Sequence, residues 1–130
     1  MNWLQKISFP MEDRDSGNCG MYAIALGKIA QEQGKKVVII LAADAEETTS
    51  LWNDPRIYHV GVEIDGVVYD GSGVTSEQGI ARFAYDIYGD PSPHMFYLEL
   101  DEATITLIRR ETNWDTSWEQ YYDQMKQDET

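Results

Sequence analysis

Hydrophobic side chains along the chain recur with two spacings, one near 3.6 residues and one near 2, and the switches between them mark out the elements. From Cys19 to Gln33 apolar residues fall at Tyr22, Ala25, Leu26, Ile29 and Ala30, the stripe of an amphipathic helix. Ser16 or Asn18 offers a cap ahead of it and Gly34 a natural stop behind it. Gly20 and Gly27 lower helix propensity but let another backbone approach closely. Val37 to Leu41 is a β-branched run that reads as a buried strand. Ala42 to Pro55 is a polar, acidic connection with helical character near Ala45 to Leu51. Ile57 to Ile64 and Val67 to Asp70 flank Asp65-Gly66, the strongest hairpin signal in the chain. Ser76 to Tyr88 predicts a helix with Ile80, Phe83, Ala84 and Ile87 on one face, ended by Gly89. Met95 to Leu100 and Thr104 to Ile108 read as two further strands. Thr116-Ser117-Trp118-Glu119 has capping-box spacing and opens a last helix bearing Trp118, Tyr121, Tyr122 and Met125. The expectation is one α+β domain over residues 1–130, a mostly antiparallel sheet with an N-terminal, Cys-bearing helix packed on it.

A two-residue turn at Asp65-Gly66 also sets a register. Ile64 pairs with Val67, which puts Gly61 opposite Asp70 and His59 opposite Ser72. Opposed residues share a face and alternate residues along a strand share a face. His59, Gly61, Glu63, Val68, Asp70 and Ser72 therefore lie on one side. Val60, Val62, Ile64, Val67 and Tyr69 lie on the other, the core side. His59 and Asp70 become diagonal neighbours, about 7–8 Å apart at Cα, with side chains able to meet over Gly61. A carboxylate that holds an imidazole fixes its tautomer and stabilises its charged form. The same pattern also suits a surface His and a turn Asp that merely share a polar face.

Composition narrows the classes. The chain has 42% hydrophobic and 12% aromatic residues, which is globular. Its 23 acids and 10 bases give a formal charge of −13, a field that repels phosphate backbones and disfavours nucleic acid as a direct ligand. No apolar run reaches the length of a membrane span, and no signal-peptide pattern opens the sequence. The expected setting is the cytoplasm. A single cysteine excludes an internal disulfide, so Cys19 is either packing or reactive.

Reactive placement is what the pattern around it offers. Cys19 opens the first helix, where the helix dipole favours a thiolate, and a nearby imidazole would favour it further. Asp15-Ser16-Gly17-Asn18-Cys19-Gly20-Met21-Tyr22-Ala23 resembles the helix opening of papain-like cysteine hydrolases. Tyr58-His59-Val60-Gly61-Val62-Glu63-Ile64, followed by Asp65-Gly66-Val67-Val68-Tyr69-Asp70, is similar to their His strand and the next strand bearing Asp or Asn. The superfamily includes transglutaminase-like and NlpC-type members, and the nearest likeness is to small uncharacterised phage and bacterial proteins. The resemblance covers about Asp15 to Gly73 and implies a minimal papain-like fold. It makes Cys19 the nucleophile, His59 the general base and Asp70 its orienter. Such enzymes carry an oxyanion Gln a few residues before the Cys. Asp13, Arg14 and Asp15 stand there instead, so the Asn18 side chain or the Cys19 backbone N–H is the expected substitute.

Other candidates carry less. His94 follows a proline-rich turn and reads as a surface residue. Cys19, His59 and Asp70 are zinc-competent donors but lack close paired-ligand spacing, so no metal or other cofactor is expected. Gly71-Ser72-Gly73 lacks the Lys of a phosphate loop. Trp114, Trp118, Tyr121 and Tyr122 fit core packing. Two readings stand. One is a thiol hydrolase or transferase acting on an amide, isopeptide or ester bond of a peptide or small amide. The other is a non-catalytic acidic domain that docks on a basic protein, in the host cytoplasm if the gene is carried by a phage.

Overall fold

The structure, a computed structural model, describes residues 19–44, 56–70, 73–90, 93–111 and 118–129. Among them, strands Val37–Asp44 (β1), Arg56–Ile64 (β2), Val67–Asp70 (β3), Gly73–Thr75 (β4) and His94–Glu99 (β5) form one antiparallel sheet. The strand order is β4-β3-β2-β1-β5. Helices Cys19–Glu32 (α1), Glu77–Tyr88 (α2), Glu102–Glu111 (α3) and Trp118–Glu129 (α4) complete an α+β fold. The helix expected near Ala45 to Leu51, the capping residues Thr116 and Ser117, and Trp114, Ser72 and Asn18 lie outside the described residues.

Helix α1 is buried on more sides than its stripe suggests. Met21, Ala23 and Ile24 are as inaccessible as Tyr22, Ala25 and Leu26. The reason is position: the same core cluster holds Ile39, Leu41, Val60 and Val62 of the sheet, Ile105, Leu107 and Ile108 of α3, and Tyr121 and Met125 of α4. A helix apolar all round belongs inside. Gly27 lets it settle there, because a Cβ at that position would stand 2.7 Å from Leu100 Cδ2 and 3.1 Å from Val37 Cγ1. Gly34 ends the helix in the left-handed region at φ 75, with the Lys35 N–H donating to Ala30 O at 3.0 Å. On the outside, the Tyr122 hydroxyl donates to Glu32 and Lys126 Nζ stands 3.2 Å from the same carboxylate, tying α4 to α1. That hydrogen bond is the main cause holding the Glu32 carboxyl below its usual range.

The segment Thr104 to Ile108 corrects the strand expectation: it lies within α3. Thr104, Ile105, Leu107 and Ile108 are buried while Thr106 is exposed, a helical spacing rather than an alternating one. The deciding local feature is Asp101, whose Oδ1 accepts from the Thr104 N–H at 2.9 Å while its carbonyl accepts from Ile105. Glu102 in the first turn and Arg109-Arg110 in the last suit the helix dipole.

The second face of the sheet is covered by α2. Ser76 caps it, accepting from Gly79 N at 3.0 Å, and Gly89 closes it at φ 77 with its N–H on Tyr85 O. Ile80 and Ala84 pack there against Ile40, Ala42, Tyr58, Val68 and Met95. Ile87, expected on the inner stripe, is 54% exposed, and Val67, expected on the core side of the hairpin, is 40% exposed because β3 lies near the sheet margin. A bulge between Ala42 and Ala43 skips Tyr58, so Tyr58 and His59 both serve the α2 face. At Gly61 an added Cβ would meet Ile80 Cδ1 at 2.3 Å and Tyr69 O at 3.1 Å, so α2 occupies the space left by the missing side chain.

Gly61→Ala is accordingly expected to destabilise the fold by about 1–3 kcal/mol through overpacking. Ile80→Val deletes the offending Cδ1 and is expected to recover part of that loss in the double variant. Urea unfolding of the two single variants and the pair checks this; additive losses would mean that the clash is elsewhere.

Candidate active site

The observed pairing Val62↔Tyr69, Glu63↔Val68 and Ile64↔Val67 carries the hairpin register forward to Asp70. Asp65, at φ 50, and Gly66, at φ 88, supply the two left-handed residues that such a turn requires. His59 shares a face with Gly61, since their partners on β1 are Ala42 and Ile40. From this arrangement the side chains of His59 and Asp70 meet, with Nε2 and Oδ2 3.0 Å apart.

The pair is not on an open polar face. His59 is 0% exposed and Asp70 4%. Phe83 of α2 lies over the imidazole with ring centroids 4.0 Å apart and planes inclined by 18°. Burial of this kind is tolerable only where polar atoms are paired, and this contact pairs Nε2 with Oδ2. An ionised Asp70 only accepts, so opposite it Nε2 must be the donor, and on a neutral ring that arrangement would leave Nδ1 as the basic nitrogen. Asp70 also borders a groove of about 200 Å³ between α2 and the β3-β4 margin, walled by Thr75, Gly79, Phe83 and Ile87 with Arg82 and Asp86 beside them.

Cys19 is the first residue of α1. Its side chain, like Asn18, lies outside what is described. The backbone nonetheless fixes where that turn arrives. Helix α1 packs on the sheet face opposite α2 and runs back along β1, which starts at Val37 beside Ile64 and ends at Asp44 beside Arg56. Fourteen helical residues rise about 21 Å and eight strand residues about 26 Å. The start of α1 therefore comes to the end of the sheet that carries His59. Tyr22, one turn after Cys19 and on the same helix face, reports the proximity. Its phenol is pushed well above its usual range, first by burial and second by the negative charge of Asp70. The ring packs edge-on to Tyr121, with centroids 6.0 Å apart.

Of the residues singled out from sequence, His59 and Asp70 are thus brought together. His94 is exposed at the start of β5, opposite Ala43 and on the other face from His59. Tyr121 and Met125 are buried in the core, with Trp118 and Tyr122 packed against it. Two neighbours of the pair were not anticipated: Phe83, which sequence marks only as part of an apolar stripe, and Tyr22, whose spacing from Cys19 is the one available signal. No protein-family model, curated protein or solved structure matches this chain.

Two measurements follow from this geometry. In a double-mutant cycle on urea unfolding, Asp70→Ala and His59→Ala together are expected to cost about 1–3 kcal/mol less than the sum of the single losses, because either one alone leaves the other buried without its mate. A coupling near zero would dissolve the pair as an energetic unit. For Tyr22, folded and unfolded chains both hold the phenol neutral below about pH 10, so its contribution is complete there. Above that, the unfolded chain ionises first and stability falls as pH rises. Tyr22→Phe is expected to flatten this alkaline fall, read as unfolding free energy against pH.

Proposed function

We propose that this chain is a papain-like thiol hydrolase or transferase that acts on an amide, isopeptide or ester bond through Cys19, His59 and Asp70. The observation that carries the reading is the buried Nε2···Oδ2 contact of 3.0 Å at the sheet end where α1 begins. In this scheme Asp70 keeps the Nε2–H tautomer, and the Cys19 thiol proton passes to Nδ1 of His59. The thiolate adds to the carbonyl carbon, and the negative charge moves to the carbonyl oxygen. Collapse of that adduct expels the amine or alcohol, which takes the proton from the imidazolium. A thioester on Cys19 remains. Water then yields hydrolysis or deamidation, whereas an amine yields transfer, with His59 again accepting the attacking proton. Backbone N–H groups of the first turn of α1 are the donors proposed for the oxyanion, together with Asn18. The substrate proposed is a peptide or small amide, with neither nucleic acid nor a membrane as partner, and the setting proposed is the cytoplasm. No helix of the described residues is long and apolar enough to cross a membrane.

A second reading rests on the complete burial of His59 beneath Phe83. A sealed dyad also suits a non-catalytic acidic domain in which the pair braces the hairpin, and whose net charge of −13 draws a basic protein partner. Binding to such a partner would weaken with salt and survive Cys19→Ala.

Alkylation by iodoacetamide separates the two, since Cys19 is the chain's sole thiol. The catalytic reading expects Cys19 to be modified near neutral pH well above the rate of a free thiol, and His59→Ala to slow it by roughly tenfold or more. An ordinary rate, indifferent to His59→Ala, would leave only the binding domain.

A further inference from the structure

The imidazole of His59 is constrained from two directions. Asp70 on β3 holds its Nε2 edge, and Phe83 on α2 covers one of its flat sides at 4.0 Å and 18°. A single hydrogen bond fixes one nitrogen but leaves the ring free to rock about the line joining it to its acceptor. A parallel aromatic ring at contact distance removes that freedom. Phe83 is itself held, because Ile80 sits over Gly61 and Ala84 is fully buried on the same helix face. We infer that Phe83 is a positioning residue for His59, setting the plane in which its basic nitrogen receives a proton. The inference rests on the catalytic reading above and adds to it a residue that touches neither the thiol nor the bond to be cleaved.

The stack has an electrostatic consequence as well as a steric one. The face of a phenyl ring is electron-rich and favours a cation lying against it. The imidazolium that forms when Cys19 gives up its proton is such a cation. Among the described residues, charged and titratable groups beside the pair include Asp70 from β3, Tyr22 from α1, whose phenol feels Asp70, and Arg82 and Asp86, which line the groove with Phe83. Arg82 and Asp86 stand 3.7 Å apart with both side chains well exposed, so they largely offset each other. Phe83 also walls the groove beside Asp70, so a group entering that groove presses on the same ring that steadies the imidazole.

The test pairs a spectroscopic readout with a kinetic one. The chain has two histidines, and His59→Ala assigns their ring resonances in nitrogen-15 spectra. In the unmodified protein His59 is expected as a single Nε2–H tautomer. Phe83→Leu is expected to keep the Nε2–H tautomer that Asp70 holds and to lower the order parameter of the His59 ring C–H bonds in carbon-13 relaxation, with His94 unchanged as the internal standard. The same variant is expected to lower Cys19 alkylation at neutral pH by roughly two- to tenfold and to move the midpoint of its pH–rate profile upward. Phe83→Tyr, which keeps the ring, restores both. A folded Phe83→Leu protein with the original ring order and the original profile would overturn the assignment; Phe83→Met replaces it should the leucine variant not fold. Should Cys19 in the unmodified protein react as an ordinary thiol, the catalytic reading falls alone, and the ring relaxation still decides whether Phe83 holds the ring.

Discussion

The contact on which the rest of the structure turns is the one between His59 and Asp70, made in a place with almost no water. Two polar groups in such surroundings are costly unless each completes the other, and that requirement reaches well beyond the pair. It demands the register of the hairpin, the bulge that turns both Tyr58 and His59 toward α2, and Gly61 between His59 and Asp70 where Ile80 comes down. It also demands that α2 arrive with an aromatic ring where the imidazole lies. Together these features define a pocket for one ring in one orientation.

The two faces of the sheet serve different ends. One carries the larger core, with α1 at its centre and α3 and α4 closing around it. On the other, among the described residues, α2 packs over a smaller apolar cluster and shields a polar pair beside it. The proposed site lies at the margin where these layers end, with α1 bringing its first turn from one face and His59 and Asp70 belonging to the other. Tyr22 registers that meeting: a residue of the α1 core whose phenol feels a carboxylate from across the sheet. A group at the start of α1 is held by the larger core, and the imidazole by the smaller, so the two halves of the proposed chemistry draw rigidity from separate sources.

Much of this was legible in the residues, and the reasons are local. Asp65-Gly66 permits essentially one turn geometry, and a turn fixes every pairing after it, which is why the meeting of His59 with Asp70 follows from counting. Ser76 and Gly89 delimit α2, and Gly34 ends α1, because caps depend on a few backbone groups alone. Thr104 to Ile108 misled because Thr-Ile-Thr-Leu-Ile alternates and is β-branched, while the Asp101 cap and the paired arginines that decide for a helix lie just outside it. Strand β4 has three residues, too few to leave a periodic trace. The burial of the polar face was hidden for a different reason. Periodicity says that a helix has an apolar stripe but not which surface it will cover, so nothing in the sequence brings Phe83 onto His59.

The hairpin turn has one more consequence, and it concerns how this chain is free to vary over evolutionary time. Side chains alternate sides at every step along a strand, so the turn works as a ruler with a two-residue graduation. Lengthening it by one residue would swing Asp70 to the side now held by Tyr69 and bring a bulky phenol to the imidazole in its place. Related chains that keep the pair should therefore tolerate changes of residue at Asp65-Gly66 far better than changes of length.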